Sequence, residues 1–395
     1  MSAHRRMSRA LSRAAPEFSR CAGTAMALLP QRGRASPTLT LTDYKAPNYW
    51  LGYRFGFVRR GLPGALLARV VGGPPTYRQV EVAAATLSRA AALSVVPIAI
   101  RVGRHVPPGL PRTVARGLIV LSPLTCSLLQ HDVGRYDAVG VLVLAGLAGV
   151  GSALGRLSVP VGTVLLAAAV GVATASEEFL LAVVAPAALT AAAQLSGAQE
   201  LSLGRRLLVS GAVLGPGAVV AAASMFVPPP PGALSAAREE ATRAGVGPAG
   251  AMGDALAALD RGLVENLAFF RLFEPAAVAL ALALWAGLYH ITTAVLGDLL
   301  GSAGDGSYRV QAGLHAAIGA ALCAVGADFR RWWGLAFLGL TATVAAREAE
   351  ESERSAAPGA VARGAALAMA GLLFRNMRVY PGGQLRMDRV IPMTR

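Results

Sequence analysis

Apolar residues in this chain come in blocks of bilayer-crossing length, separated by short polar breaks that carry arginine. That alternation predicts a set of membrane-spanning helices. The clearest block is 276–297, which holds no formal charge and has His290 as its only side chain of near-neutral intrinsic pKa. Similar blocks run over 138–154, 159–175, 207–227 and 310–325, with further helices expected at 82–100, 118–130, 179–195, 332–346 and 360–374. The prolines of RVGRHVPPGLPR rule out a continuous helix between the first two spans. The pattern predicts an all-α fold, a polytopic transmembrane helical bundle of about ten spans. One long loop, 227–273, departs from it. There Met252, Leu256, Leu259, Leu263, Leu267 and Phe270 recur at intervals of three or four, with Asp254, Asp260, Arg261 and Glu265 off the stripe. This predicts an amphipathic interfacial helix that lies on the membrane or roofs a cavity.

Domain organisation follows from the same pattern. Residues 1–47 read as a basic, disordered tail, 48–374 as the transmembrane domain and 375–395 as a basic C-terminal tail. The segment 48–64, NYWLGYRFGFVRRGLPG, mixes rings with arginines as membrane interfaces do.

Composition strengthens the membrane reading. Of 395 residues 54% are hydrophobic and 15% charged, with a mean hydropathy of +0.51. An average soluble domain carries about 25% charged residues. The net charge of +15 and pI near 10.9 raise the question of nucleic acid. A nucleic-acid binder gathers its cations on one soluble face with stacking aromatics. Here they are nearly all Arg and sit in loops and tails, where they orient spans and meet anionic headgroups. Membrane lipid is therefore the expected partner, and nucleic acid is not. The three cysteines have no CxxC or metal-ligand spacing. Walker A, HExxH and GxSxG sequences are absent as well.

The positive-inside bias is read on short loops. With Arg101, Arg104, Arg112 and Arg116 cytoplasmic, alternation also places Arg156, Arg205, Arg206, Arg309, Arg347 and Arg354 inside. The long loop is then extracytoplasmic. The basic N-terminus and Arg375, Arg378, Arg386 and Arg389 favour the inverse orientation.

On the first arrangement four polar clusters share the extracytoplasmic side: YRFGFVRRG, HDVGRYD, SEE and DFRRWW. Ionisable groups at span ends are costly to hold near hydrocarbon and become candidates by default. Asp132, Asp137 and Glu177 are candidate catalytic carboxylates, suited to a general base or to ligating a divalent cation. Arg59, Arg60, Arg135, Arg330 and Arg331, with Glu178 and Asp328, are candidates for substrate binding, since guanidiniums clamp phosphates bidentately. Each cluster also has a plainer reading: Asp132, Arg135 and Asp137 pairing across a loop, Glu177 and Glu178 starting a helix, Arg330 to Trp333 anchoring at the interface. His290 and His315 fit a packing seam or a proton path.

At YRFGFVRRGLPG, GRYD, SEEFLLAVVAP and GADFRRWW the chain resembles a group of bacterial polytopic membrane proteins that look like the GT-C class of glycosyltransferases. The resemblance implies a multi-pass protein of the bacterial plasma membrane. It also implies an extracytoplasmic transferase that uses polyprenyl-phosphate-linked sugar in envelope polysaccharide or glycolipid assembly. Asp132 or Asp137 would then serve as base or metal ligand and Arg135 as a phosphate contact. The group often has His where this chain has Ser176. A transporter or lipid-carrier flippase, and a non-catalytic envelope-complex protein, are the alternatives.

Overall fold

The computed structural model describes residues 41, 45–131, 134–154, 157–247, 256, 259, 275–302, 305–326, 328–347, 355–374, 377–379 and 385–387. These form helices, with one antiparallel pair of three-residue strands, β1 (Met377–Val379) and β2 (Leu385–Met387), in the expected C-terminal tail. Two 3-10 turns, Ala46–Trp50 and Tyr53–Phe55, lead into α1 (Gly61–Val71). Leu41 and Ala46 are buried, so packed structure begins ahead of residue 48.

The long α2 (Tyr77–Arg104) opens with a capping box, Thr76 and Gln79 satisfying each other's backbone N–H groups. It ends before the Pro107–Pro108 pair as the sequence requires. The expected short span at 118–130 is two pieces, α3 (Leu110–Leu121) and α4 (Pro123–His131). Pro123 forces Ser122 out of helical geometry. The freed groups are met locally: Thr125 Oγ1 donates to the Ile119 carbonyl (2.8 Å) and Ser122 Oγ accepts from Thr125 N–H (3.1 Å). Gly371 packs against this break so closely that a Cβ would lie 1.6 Å from the Leu121 carbonyl oxygen. The break is sealed by hydroxyls and backbone contact.

The remaining helices are α5 (Asp137–Leu154), α6 (Val159–Ser176), α7 (Leu180–Ala198), α8 (Leu203–Phe226), α9 (Ala233–Arg243), α10 (Pro275–Leu299), α11 (Gly306–Val325), α12 (Phe329–Ala346) and α13 (Ala360–Phe374). Neither α1 nor α9 was foreshadowed by a long apolar block. Of the expected amphipathic stripe only Leu256 and Leu259 are described, both helical and buried; the rest lies outside the described residues.

Among the described residues six helices are long and apolar enough to cross a membrane: 77–104, 110–129 (α3 and α4 together), 159–176, 180–197, 203–226 and 278–299. Their outward faces keep large apolar side chains in the open, among them Val164, Leu207, Leu208, Val219, Leu280 and Ile291. A soluble surface rarely exposes so many together; these are the faces hydrocarbon would cover. Helix α12 is the opposite case. It packs on α2, α4, α5, α7, α10 and α11, and every residue from Arg331 to Ala346 is buried. A helix apolar all round belongs in the middle of a bundle. Gly339 permits the closest approach, with the His315 ring of α11 and the Val183 carbonyl of α7 within 3.1 Å of where a Cβ would sit.

Candidate functional site

The elements that carry the sequence candidates meet at one end of this bundle. Helices α5, α7 and α12 begin there, α6 ends there, and Arg60 stands at the start of α1. Helix N-termini carry partial positive charge, which favours the carboxylates gathered beside them.

Two arginines organise the cluster. The Arg331 guanidinium grips Asp137 with both arms, Nε to Oδ2 at 2.5 Å and Nη2 to Oδ1 at 2.6 Å. Its Nη2 also lies 2.8 Å from Glu177 Oε1. Arg60 grips Glu178 in the same way, Nε to Oε2 at 3.0 Å and Nη2 to Oε1 at 2.8 Å, and approaches Glu177 Oε1 to 3.1 Å. Glu177 is thus the bridge between the two forks. Its Oε1 has charge contact with both arginines, but neither N–H is well aligned for a hydrogen bond. Asp137, Glu177, Glu178 and Arg331 are each at most 5% exposed. The four anchoring segments are far apart in sequence: Arg60 lies 118 residues from Glu178 and Asp137 lies 194 from Arg331.

Such groups must be paired to be buried. Burial alone would raise the Glu177 carboxyl, but the charges of Arg331 and Arg60 outweigh it and hold the group down at about 2. Arg60 is driven the other way: Glu177 and Glu178 overcome the effect of burial and raise it above its usual value. The Arg331 guanidinium also stacks over the Trp332 ring at 4.1 Å, and Trp332 meets Phe179 edge-on at 6.0 Å. Arg60 reaches its partners from a left-handed backbone (φ 62, ψ 16), a conformation costing a non-glycine residue about 1–2 kcal/mol.

A more accessible layer lies outside this core. Arg135 Nη1 is 3.0 Å from Asp328 Oδ2, and Arg330 Nε is 3.4 Å from Oδ1 of the same carboxylate. These side chains are 20–23% exposed. Described parts of the long loop meet the same end: Arg54 pairs with Glu240 of α9, and Arg59 donates to the Leu259 carbonyl. Tyr136 is buried beneath, its hydroxyl donating to the Asn48 carbonyl at 2.9 Å.

The structure therefore brings together Asp137, Glu177, Glu178, Arg60 and Arg331, places Arg135, Asp328 and Arg330 in an outer layer, and directs Arg59 to the overlying loop. Asp132 lies outside the described residues. Among the described residues no group of three or more His, Cys, Asp or Glu is placed to hold a metal ion. Guanidiniums occupy the positions from which a cation would meet the inner carboxylates Asp137 and Glu178. Sequence reasoning passed over Glu240, Tyr136 and Asn48, none of which stands in a recognisable spacing.

The opposite end is basic. Arg101 of α2 donates to the Gly149 carbonyl of α5 (2.6 Å), and Arg347 donates to Ser307 (3.0 Å). Burial and the nearby charges of Arg347, Arg101 and Arg104 lower the His105 imidazole.

Comparison with family models, with curated proteins and with solved structures gives no match.

Proposed function

We propose that this integral membrane protein is a GT-C-like glycosyltransferase that takes a sugar from a polyprenyl-phosphate carrier at the extracytoplasmic face. The observation that carries the reading is the convergence of four separate segments into one charged, loop-covered end of an apolar bundle. The basic opposite end supports the orientation, by the positive-inside bias.

The inner carboxylates are the frame of this site. A base works best with a pKa near the working pH, and Glu177, held at about 2 between Arg331 and Arg60, is far from that. Asp137 is spent on Arg331. The base role falls to Asp132, on its sequence position in HDVGRYD. The acceptor hydroxyl gives its proton to Asp132, its oxygen bonds to the anomeric carbon, and the bond from that carbon to the phosphate oxygen breaks. Arg135 and Arg330, the accessible guanidiniums, stabilise the phosphate that leaves.

The test is photo-crosslinking of detergent-solubilised protein with a benzophenone-tagged polyprenyl monophosphate. Labelling that unlabelled polyprenyl phosphate competes away, and that Arg135→Gln with Arg330→Gln reduces, supports the reading. Absence of competable labelling in a folded preparation rejects it.

A further inference from the structure

The span of α2 carries a charge that its own bundle leaves unused. Between Glu81 and Arg101 the helix runs through 82–100, where Arg89 is the one charged side chain. At about 1.5 Å per residue that stretch is about 28 Å long, close to the roughly 30 Å of a hydrocarbon core. Arg89 then lies about 10 Å inside the nearer surface. It shares the outward stripe of α2 with Val82, Thr86 and Leu93, is itself exposed, and has no hydrogen-bond or ion-pair partner among the described residues. The other exposed arginines of the six apolar spans are Arg78, Arg104, Arg205 and Arg206. Each stands within four residues of a helix end, where a long side chain snorkels into the headgroups. Arg89 is twelve residues in from Tyr77 and fifteen before Arg104. A charge that far inside a span belongs against protein or water, paired.

The surroundings of Arg89 suit a helix. Ala85, Thr86 and Ala90 flank it, and small residues let helix backbones approach closely within a membrane. An occupant of this face must bring negative charge to the depth of Arg89. A second copy of the chain does not supply it. Among the described residues the six spans hold two carboxylates, Glu81 and Asp298, both close to span ends, and Asp298 is already paired with Arg363 at 2.6 Å. Two copies packed on this face would set Arg89 against Arg89.

We infer that the face of α2 from Val82 to Leu93 docks a transmembrane helix of a different protein, one that carries an aspartate or glutamate at the depth of Arg89. The guanidinium grips that carboxylate with both arms, and the small residues around it take the partner's backbone. The face is separate from the Arg60–Arg331 cluster, and the inference stands whether or not the protein is a transferase.

Photo-crosslinking in the cells that make the protein tests it, with p-benzoylphenylalanine placed at Thr86 or, as a control on another exposed face, at Val219 of α8. The probe at Thr86 should give a discrete adduct with another protein, and the probe at Val219 should not. Mass spectrometry of the adduct should place the crosslink in a membrane span that holds an Asp or Glu. Arg89→Leu should cut the adduct about 5-fold or more, the scale of a hydrogen bond to a charged group, whereas Arg89→Lys should keep most of it. Arg89→Glu should abolish it, and exchanging the partner's carboxylate for arginine should restore it. The melting temperature of purified Arg89→Leu in detergent should hold or rise, because the side chain has no partner in its own bundle. Crosslinking to lipid alone, to a second copy, or to a span without a carboxylate overturns the inference. So does the lack of any adduct at Thr86, an adduct indifferent to Arg89→Leu, or a lowered melting temperature in that variant.

Discussion

Replacing Arg331 with Gln removes one fork and leaves Asp137 and Glu177 buried with Arg60, and more weakly Arg135, as the positive charges acting on Glu177. Truncating one partner of a buried ion pair costs about 3–5 kcal/mol, because the remaining charge stays desolvated. With unfolding entropy near 2.1 cal/mol/K per residue, that is a fall in melting temperature of about 5–8 °C for a cooperative unit of some 300 residues. The pH dependence is the sharper signature. In the native protein Glu177 is depressed, so its stabilisation is fully present above the unfolded carboxyl value and is lost only as pH falls through about 2. In the variant burial dominates, Glu177 or Asp137 gains stability by taking up a proton, and the deficit should shrink between pH 8 and pH 5. Adding Asp137→Asn to Arg331→Gln should recover part of the loss at pH 8, giving a coupling energy of about 1–3 kcal/mol in the double-mutant cycle. The assay is thermal unfolding in detergent, followed by intrinsic fluorescence across that pH range. A variant within 1 °C of the parent, or a deficit independent of pH, would refute the view that these arginines neutralise buried charge.

Other consequences concern packing and the buried histidine. Gly371→Ala should prevent a folded, monodisperse preparation in size-exclusion chromatography, since its Cβ meets the Leu121 carbonyl at 1.6 Å; Gly313→Ala, with nothing within 4 Å, should be neutral or slightly stabilising. Thr343 donates to the Gly339 carbonyl (2.8 Å) and therefore accepts from His315 Nε2 (3.1 Å), while His315 Nδ1 has no hydrogen-bond partner. Thr343→Val removes the one hydrogen bond the ring makes and should lower stability by about 1–3 kcal/mol, read as a melting shift, whereas Thr343→Ser should not.

The apolar blocks made the long helices legible, because span length and hydropathy are local properties of the chain. The break at Ser122 was partly visible as a Pro in a short block, yet nothing local showed that Gly371 would seal it. Arg331 is the instructive case. Beside Trp332 and Trp333 it fits an interface anchor equally well, and only tertiary packing shows it buried at the head of α12. The ion pairs join residues more than a hundred positions apart, so the sequence offered the charges without their partners. Arg60 was visible as a cation, whereas its left-handed backbone was not.

The central claim is that the two ends of the bundle lie on opposite sides of a membrane, with the Arg60–Arg331 cluster outside. It is tested by replacing the native cysteines with serine and introducing Ser235→Cys in α9 or Ser202→Cys before α8, both exposed positions. Intact cells are then treated with a membrane-impermeant maleimide. The account predicts labelling at 235 in intact cells and at 202 only after permeabilisation. Labelling at 202 with protection at 235 would invert the protein and contradict the extracytoplasmic site; equal labelling at both would contradict the two-sided bundle itself.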